Sequence, residues 1–263
     1  MTGESVTDSR PRVAVVSAMH EELRALLPLL ERSSELVMGG RRCHVGEIAG
    51  QAVVLALSGI GKVAAATTAT VLATRFALTA MVLTGVAGGL AEGVQVGDVV
   101  VADTLLQHDL DASPLFPRYV VPGTGRSHFQ ADVSLTESLA LAAQRQLTSP
   151  HSPWAAALHE ALPQAHASVR RGLVVSGDRF VSTSAESRAL QRALPEALAV
   201  EMEGAALAQV CSDFAVPFAV LRIISDRADD AAHVDFTRFI DEVASACTRA
   251  IVHDWLMARS HTS

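Results

Sequence analysis

Five short, almost continuously apolar runs punctuate the sequence, and each ends abruptly in glycines or charged residues. Val13–Ala18 runs into Met19, His20, Glu21 and Glu22, and Ala80–Thr84 runs into Gly85, Val86, Ala87, Gly88 and Gly89. Leu173–Val175 is followed by Ser176, Gly177, Asp178, Arg179 and Phe180. Ala197–Val200 leads to Glu201, Met202 and Glu203, and Phe218–Ile224 to Ser225 and Asp226. Runs of this length, rich in β-branched residues and bounded by turn formers, predict buried strands. In a parallel sheet all five ends share one rim, and open α/β sheets bind ligands just outside the carboxyl ends of their strands. Carboxylates on such a rim cost desolvation energy unless a ligand or partner uses them, so chemistry is expected there.

Helical spacing fills the intervals between the strands. It covers Glu21–Leu30, the Ala- and Thr-rich Gly61–Phe76, Leu135–Gln146, Pro153–Ala161, Ala185–Ala193, Gly204–Phe214 and Phe236–Leu256. Arg42–Ile48 and Val53–Leu57 read as a hairpin about Ala49 and Gly50, and Asp98–Leu105 as a further strand. The alternation predicts a single α/β domain over residues 12–258, a mostly parallel, mixed central sheet flanked by helices. Residues 1–11 read as a disordered leader and 259–263 as a tail. His108–His166, with prolines at 114, 117, 122, 150 and 153, reads as a region of binding loops or a lid.

Composition excludes several function classes. A net charge of -7 without a basic stripe argues against nucleic acid and for a small neutral or cationic ligand. Met81–Val101 is apolar but holds Glu92, Asp98 and glycines at 85, 88, 89, 93 and 97, so it is not a membrane span. The polar N-terminus lacks the apolar core of a secretory signal. Cys43, Cys211 and Cys247 are scattered and read as buried reduced thiols, which fits the cytoplasm. His108 with Asp109 and Asp111, and His233 near Asp229 and Asp230, lack metal-ligand spacing, so no metal is expected. Gly85, Gly88 and Gly89 do not follow a dinucleotide fingerprint, and no cofactor is expected.

Seven segments together carry a family resemblance: Ala18-Met19-His20-Glu21-Glu22, Ser58-Gly59-Ile60-Gly61-Lys62-Val63, Gly85-Val86-Ala87-Gly88-Gly89-Leu90, Val96-Gly97-Asp98-Val99-Val100, Ser176-Gly177-Asp178, Val200-Glu201-Met202-Glu203 and Ile224-Ser225-Asp226. In order and rough spacing the chain resembles the 5′-methylthioadenosine/S-adenosylhomocysteine nucleosidases of the nucleoside phosphorylase superfamily. The resemblance implies hydrolysis of an adenine N-glycosidic bond. It places the water-activating glutamate at Glu22, the ribose-holding glutamate at Glu203 and the acid that protonates purine N7 at Asp226. It places the adenine-stacking aromatic at Phe180, with the Val181 backbone at the adenine edge, Met19 and Met202 on the ribose side and Phe236 near the 5′ substituent. Val86, Ala87, Gly88 and Ser225 fall in the same substrate-binding segments. It also implies a homodimer, in which the loop around Leu115 and Phe116 reaches toward the neighbouring subunit.

The chemistry follows from these residue types. Glycosidic cleavage develops oxocarbenium character on the ribose, which a carboxylate such as Glu203 stabilises. Adenine leaves poorly as an anion, so an acid at Asp226 helps, provided burial favours its protonated form. Plainer readings stand beside these. Glu22 in a first helical turn can simply complement the helix dipole. Asp226 can cap the following helix, and a phenylalanine such as Phe180 is usually core. The glycines after Thr84 are expected to let backbone approach the sugar. Val86 stands where the family often has serine, and His20 where an acid is common. Three alternatives stay open: a phosphate-dependent phosphorylase, a nucleosidase for another 5′-modified nucleoside such as aminodeoxyfutalosine, and a non-catalytic nucleoside-binding protein.

Overall fold

The computed structural model, which describes residues 8–164, 166–229 and 239–260, gathers ten strands into one mixed sheet. In chain order the strands are β1 (Asp8–Ser17), β2 (Glu31–Met38), β3 (Arg41–Ile48), β4 (Gln51–Leu57), β5 (Phe76–Gly89), β6 (Val99–Gln107), β7 (His128–Gln130), β8 (Val169–Ser176), β9 (Ala197–Glu201) and β10 (Phe218–Asp226). The helices are α1 (His20–Leu26), α2 (Lys62–Arg75), α3 (Val133–Thr148), α4 (Pro153–Ala161), α5 (Ser184–Ala193), α6 (Gly204–Asp213) and α7 (Ser245–Ser260), the last preceded by a π turn at Ile240–Ala244. β1 begins at Asp8, so residues 8–11, expected in the leader, form part of the sheet.

β4, β1, β5 and β10 run parallel, as do β6, β8 and β9. The two groups meet antiparallel where β10 pairs β6 and where β5 pairs β9. The sheet therefore closes on itself through β5, β9, β8, β6 and β10. The expectation of one parallel rim is corrected accordingly. β5 and β9 pair only at Gly88↔Val200 and Gly89↔Ala199, so opposed strands meet at their carboxyl ends. The strand ends converge because the sheet bends and closes.

Period-two alternation serves both faces of the sheet. Val13 and Val15 pack with α1, α3, α4 and α7, around Trp154 and Trp255. Ala14 and Val16 join the opposite layer of α2 and α6. Small buried residues on α2 (Ala65, Thr68, Ala69) and α6 (Ala205, Ala206, Ala208) let these helices lie close together. All three cysteines are buried and reduced. No helix among the described residues is long and apolar enough to cross a membrane.

Candidate active site

A cavity of about 420 Å³ opens where the strand ends converge. Met19, Glu22, Val86, Ala87, Gly88, Phe180, Val181, Met202, Glu203, Ser225 and Asp226 all line it. Phe236 lies outside the described residues, as does His233. Ile60, Arg179, Glu201 and Arg222, none of them expected in the site, also line the cavity.

Glu22 is buried in the first turn of α1. Its Oε2 accepts from the backbone N–H groups of Ala18 and Met19, each at 3.0 Å, and its Oε1 from Val86 N at 3.1 Å. The same carboxyl closes the start of α1 and faces the cavity. Burial raises its pKa above the ordinary value, against the opposing pull of Arg222 and these three N–H donors.

Glu201 and Glu203 have separate duties. Glu201 Oε1 accepts from the Ser176 hydroxyl and from Gly204 N, and Oε2 accepts from Glu203 N at 3.0 Å and from Arg222 Nη2. Its lone pairs are spent inside the protein, which makes it a structural clamp on the β9–α6 junction. Glu203 has fewer partners: Oε1 accepts from Gly61 N at 2.9 Å and Oε2 from Arg222 Nη2 at 3.2 Å. The α2 N-terminus is held in turn by Asp178, whose Oδ1 accepts from Lys62 N at 2.7 Å. Lys62 Nζ pairs with Asp109 at 2.6 Å, so that acid is used within the protein.

Arg222 is the residue that sequence reading missed. It is 1% exposed in the middle of β10, and its charge interacts with Glu201, Glu203 and Glu22. The available signal was a single guanidinium inside an otherwise apolar strand, a position where an unpaired charge is too costly to persist. Three buried carboxyls thus face one buried cation. Burial and the neighbouring Glu201 charge push Glu203 up to about 7, despite Arg222.

This shift has a sign that can be tested. A carboxyl whose folded pKa lies above its unfolded one stabilises the fold fully at low pH, and that contribution is lost as the pH rises through the folded value. For Glu203 the window runs from 4.5 to about 7. Thermal melts should show wild type losing stability relative to Glu203→Gln across that window. A difference independent of pH would refute the shift.

Asp226 ends β10 and is buried. Its Oδ1 accepts from Ala228 N at 2.7 Å, and its Oδ2 from the Ser225 hydroxyl at 2.8 Å. Phe180 is 40% exposed at the cavity wall, so it is not a core residue.

The glycines at 85 and 88 make room for these side chains. A Cβ on Gly85 would lie 2.3 Å from Arg222 Nη1 and 2.7 Å from Glu22 Oε1. On Gly88 it would lie 2.9 Å from Ala228 Cβ and 3.1 Å from Asp226 Oδ1. Overpacking of this kind costs about 1–3 kcal/mol. Gly85→Ala should therefore lower stability by about that amount in urea unfolding. An unchanged midpoint would show that the cluster yields freely.

The chain matches the phosphorylase superfamily over residues 12–253. Among solved structures it is similar to the 5′-methylthioadenosine/S-adenosylhomocysteine nucleosidase of Neisseria meningitidis in complex with methylthio-immucillin-A. The identity is 35%, covering 94% of this chain and 99% of that one, with a TM-score of 0.82. It is similar to the S-adenosylhomocysteine nucleosidase of Streptococcus pyogenes at 30% identity, covering 94% and 96%, with a TM-score of 0.80. It is also similar to the futalosine hydrolase of Helicobacter pylori strain 26695 at 30% identity, covering 93% and 97%, with a TM-score of 0.79. With this fold and these similarities, the chain belongs to the phosphorylase superfamily and, within it, to the 5′-methylthioadenosine/S-adenosylhomocysteine nucleosidase family.

Proposed function

We propose that the protein hydrolyses the N-glycosidic bond of 5′-thio-substituted adenosines, 5′-methylthioadenosine and S-adenosylhomocysteine, releasing adenine. The observation that carries this reading is the convergence of Glu22, Glu203 and Asp226 on one cavity beside the apolar side chains of Met19, Ile60, Val86, Phe180 and Met202. Phe180 offers an aromatic face for adenine, and the Val181 backbone its edge. Met19 and Met202 flank the ribose, Glu203 accepts from its hydroxyls, and Val86, Ala87 and Gly88 line the sugar. The C1′–N9 bond breaks with its electron pair passing to the base, while Asp226 delivers a proton to N7. Water then adds to C1′ and gives up a proton to Glu22. Raised basicity at Glu22 suits that step, because a general base works best with a pKa near the working pH. Ser225, donating to Asp226 Oδ2, holds the acid in place.

Phosphate as nucleophile is the weaker reading. The lining arginines are already engaged: Arg222 by Glu201 and Glu203, Arg179 by Glu186. Arg24, on α1 after the first strand, does not line the cavity. A bulkier 5′ substituent is a second reading, favoured by the similarity to futalosine hydrolase. The test is adenine release from 5′-methylthioadenosine with and without phosphate. Equal rates and a free sugar product are expected. A phosphate requirement with ribose 1-phosphate as product would overturn hydrolysis. A cytoplasmic homodimer working in methionine salvage fits this reading, with exposed Leu115 and Phe116 available for subunit contact. Sedimentation at working concentration should give twice the chain mass.

A further inference from the structure

A second hollow, of about 650 Å³, adjoins the cavity between α1 and the start of β3. Its charged and imidazole lining consists of His20, Arg24, Arg41, Arg42 and His44, with no carboxylate among the lining side chains. On a chain of net charge -7 this is a local reversal of sign. Glu35 offsets part of it, lying 3.3 Å from Arg42 Nη1 and 3.9 Å from His44 Nδ1. Arg41 is different. It makes no ion pair among the described residues, and its Nε, shielded from solvent, has no hydrogen-bond partner. With Nε shielded, the two Nη groups are the donors that an anion in the groove meets.

The position of this groove connects it to the cavity. Met19 lines the cavity and His20 the groove; Ile60 lines the cavity and Gly59 the groove. The shared wall is next to Gly61, whose N–H reaches Glu203 at 2.9 Å. No residue of β5, β8 or β10 lines the groove. If Glu203 holds the ribose, the groove continues from the ribose end of the site, on the side away from the strand carrying Asp226.

We propose that this groove receives a carboxylate at the end of the nucleoside's 5′ substituent, so that acidic 5′ thioethers are preferred over neutral ones. The proposal rests on the nucleosidase reading and adds a substrate preference to it. Arg41 supplies the planar donor fork and Arg24 and Arg42 the surrounding positive field. A zwitterionic end gains less, because its ammonium meets the same arginines.

The experiment compares kcat/KM for three adenosine 5′ thioethers, one ending in methyl and two of matched length ending in carboxylate or carboxamide. Wild type should favour the carboxylate over the carboxamide by about tenfold, the range of a charge-assisted hydrogen bond at a partly exposed site. That ratio should shrink several-fold as salt is raised, because screening reaches an open groove. Arg41→Gln should lose most of the preference while turning over the methyl thioether as before, and Arg41→Lys should keep part of it. Equal kcat/KM for carboxylate and carboxamide in wild type overturns the groove and leaves the nucleosidase reading standing. Absence of adenine release from all three compounds sinks that reading itself. The wild-type ratio and its salt dependence decide the matter even if the Arg41 variants fold poorly.

Discussion

Asp226→Asn is expected to lower kcat for adenine release by about 10²–10⁴-fold, the range that a positioned general acid contributes. Asparagine keeps the shape of the side chain and the oxygen that accepts from Ala228 N. Its amide can face Ser225, whose hydroxyl rotates to accept. The fold should therefore survive, and KM should change little, because the lost interaction develops in the transition state. A stability role would also lower the rate, so a second substrate is needed. A 5-thioribosyl compound whose leaving group departs as a stable anion needs no proton from Asp226. Its turnover by Asp226→Asn should stay within a few-fold of wild type. If both substrates suffer alike, Asp226 is not the acid.

Much of this site was legible because buried strands and their ends obey simple rules. Apolar runs predicted β1, β5, β8, β9 and β10, and the residues after them line the cavity. What the sequence could not show depends on pairing. The role of Glu201 follows from the register Ser176↔Glu201 between β8 and β9, which no local pattern encodes. The antiparallel junction of β5 with β9 was hidden for the same reason. β2 escaped notice because it is exposed along nearly its whole length and pairs only with β3, so neither alternation nor an apolar run marks it. Phe180 illustrates the opposite case: composition favours a core phenylalanine, and only tertiary placement puts its ring at a cavity wall.

Arg222→Met should destabilise the protein by about 3–5 kcal/mol, the cost of leaving buried charge without its partner. Methionine fills much of the volume but leaves Glu201, Glu203 and Glu22 with no cation in their cluster. The carboxyls can escape this only by taking up protons. The destabilisation in urea should therefore be largest at neutral to alkaline pH and smaller in acid. Adding Glu201→Gln should restore part of the loss, since the two changes share one ion pair and cannot be additive. This double variant also keeps the test usable if the single one fails to fold. Catalysis supplies an independent readout. Without Arg222 the pKa of Glu203 rises further above about 7, so the ionised carboxylate that the proposed ribose contact uses forms only at higher pH. The rising limb of the kcat/KM profile should move to alkaline pH in Arg222→Met, and the shift should be reversed in the double variant, which also loses the Glu201 charge that raises Glu203. A profile that keeps its position, with stability within about 0.5 kcal/mol of wild type, would mean that Arg222 neither holds the three carboxyls together nor sets their charge.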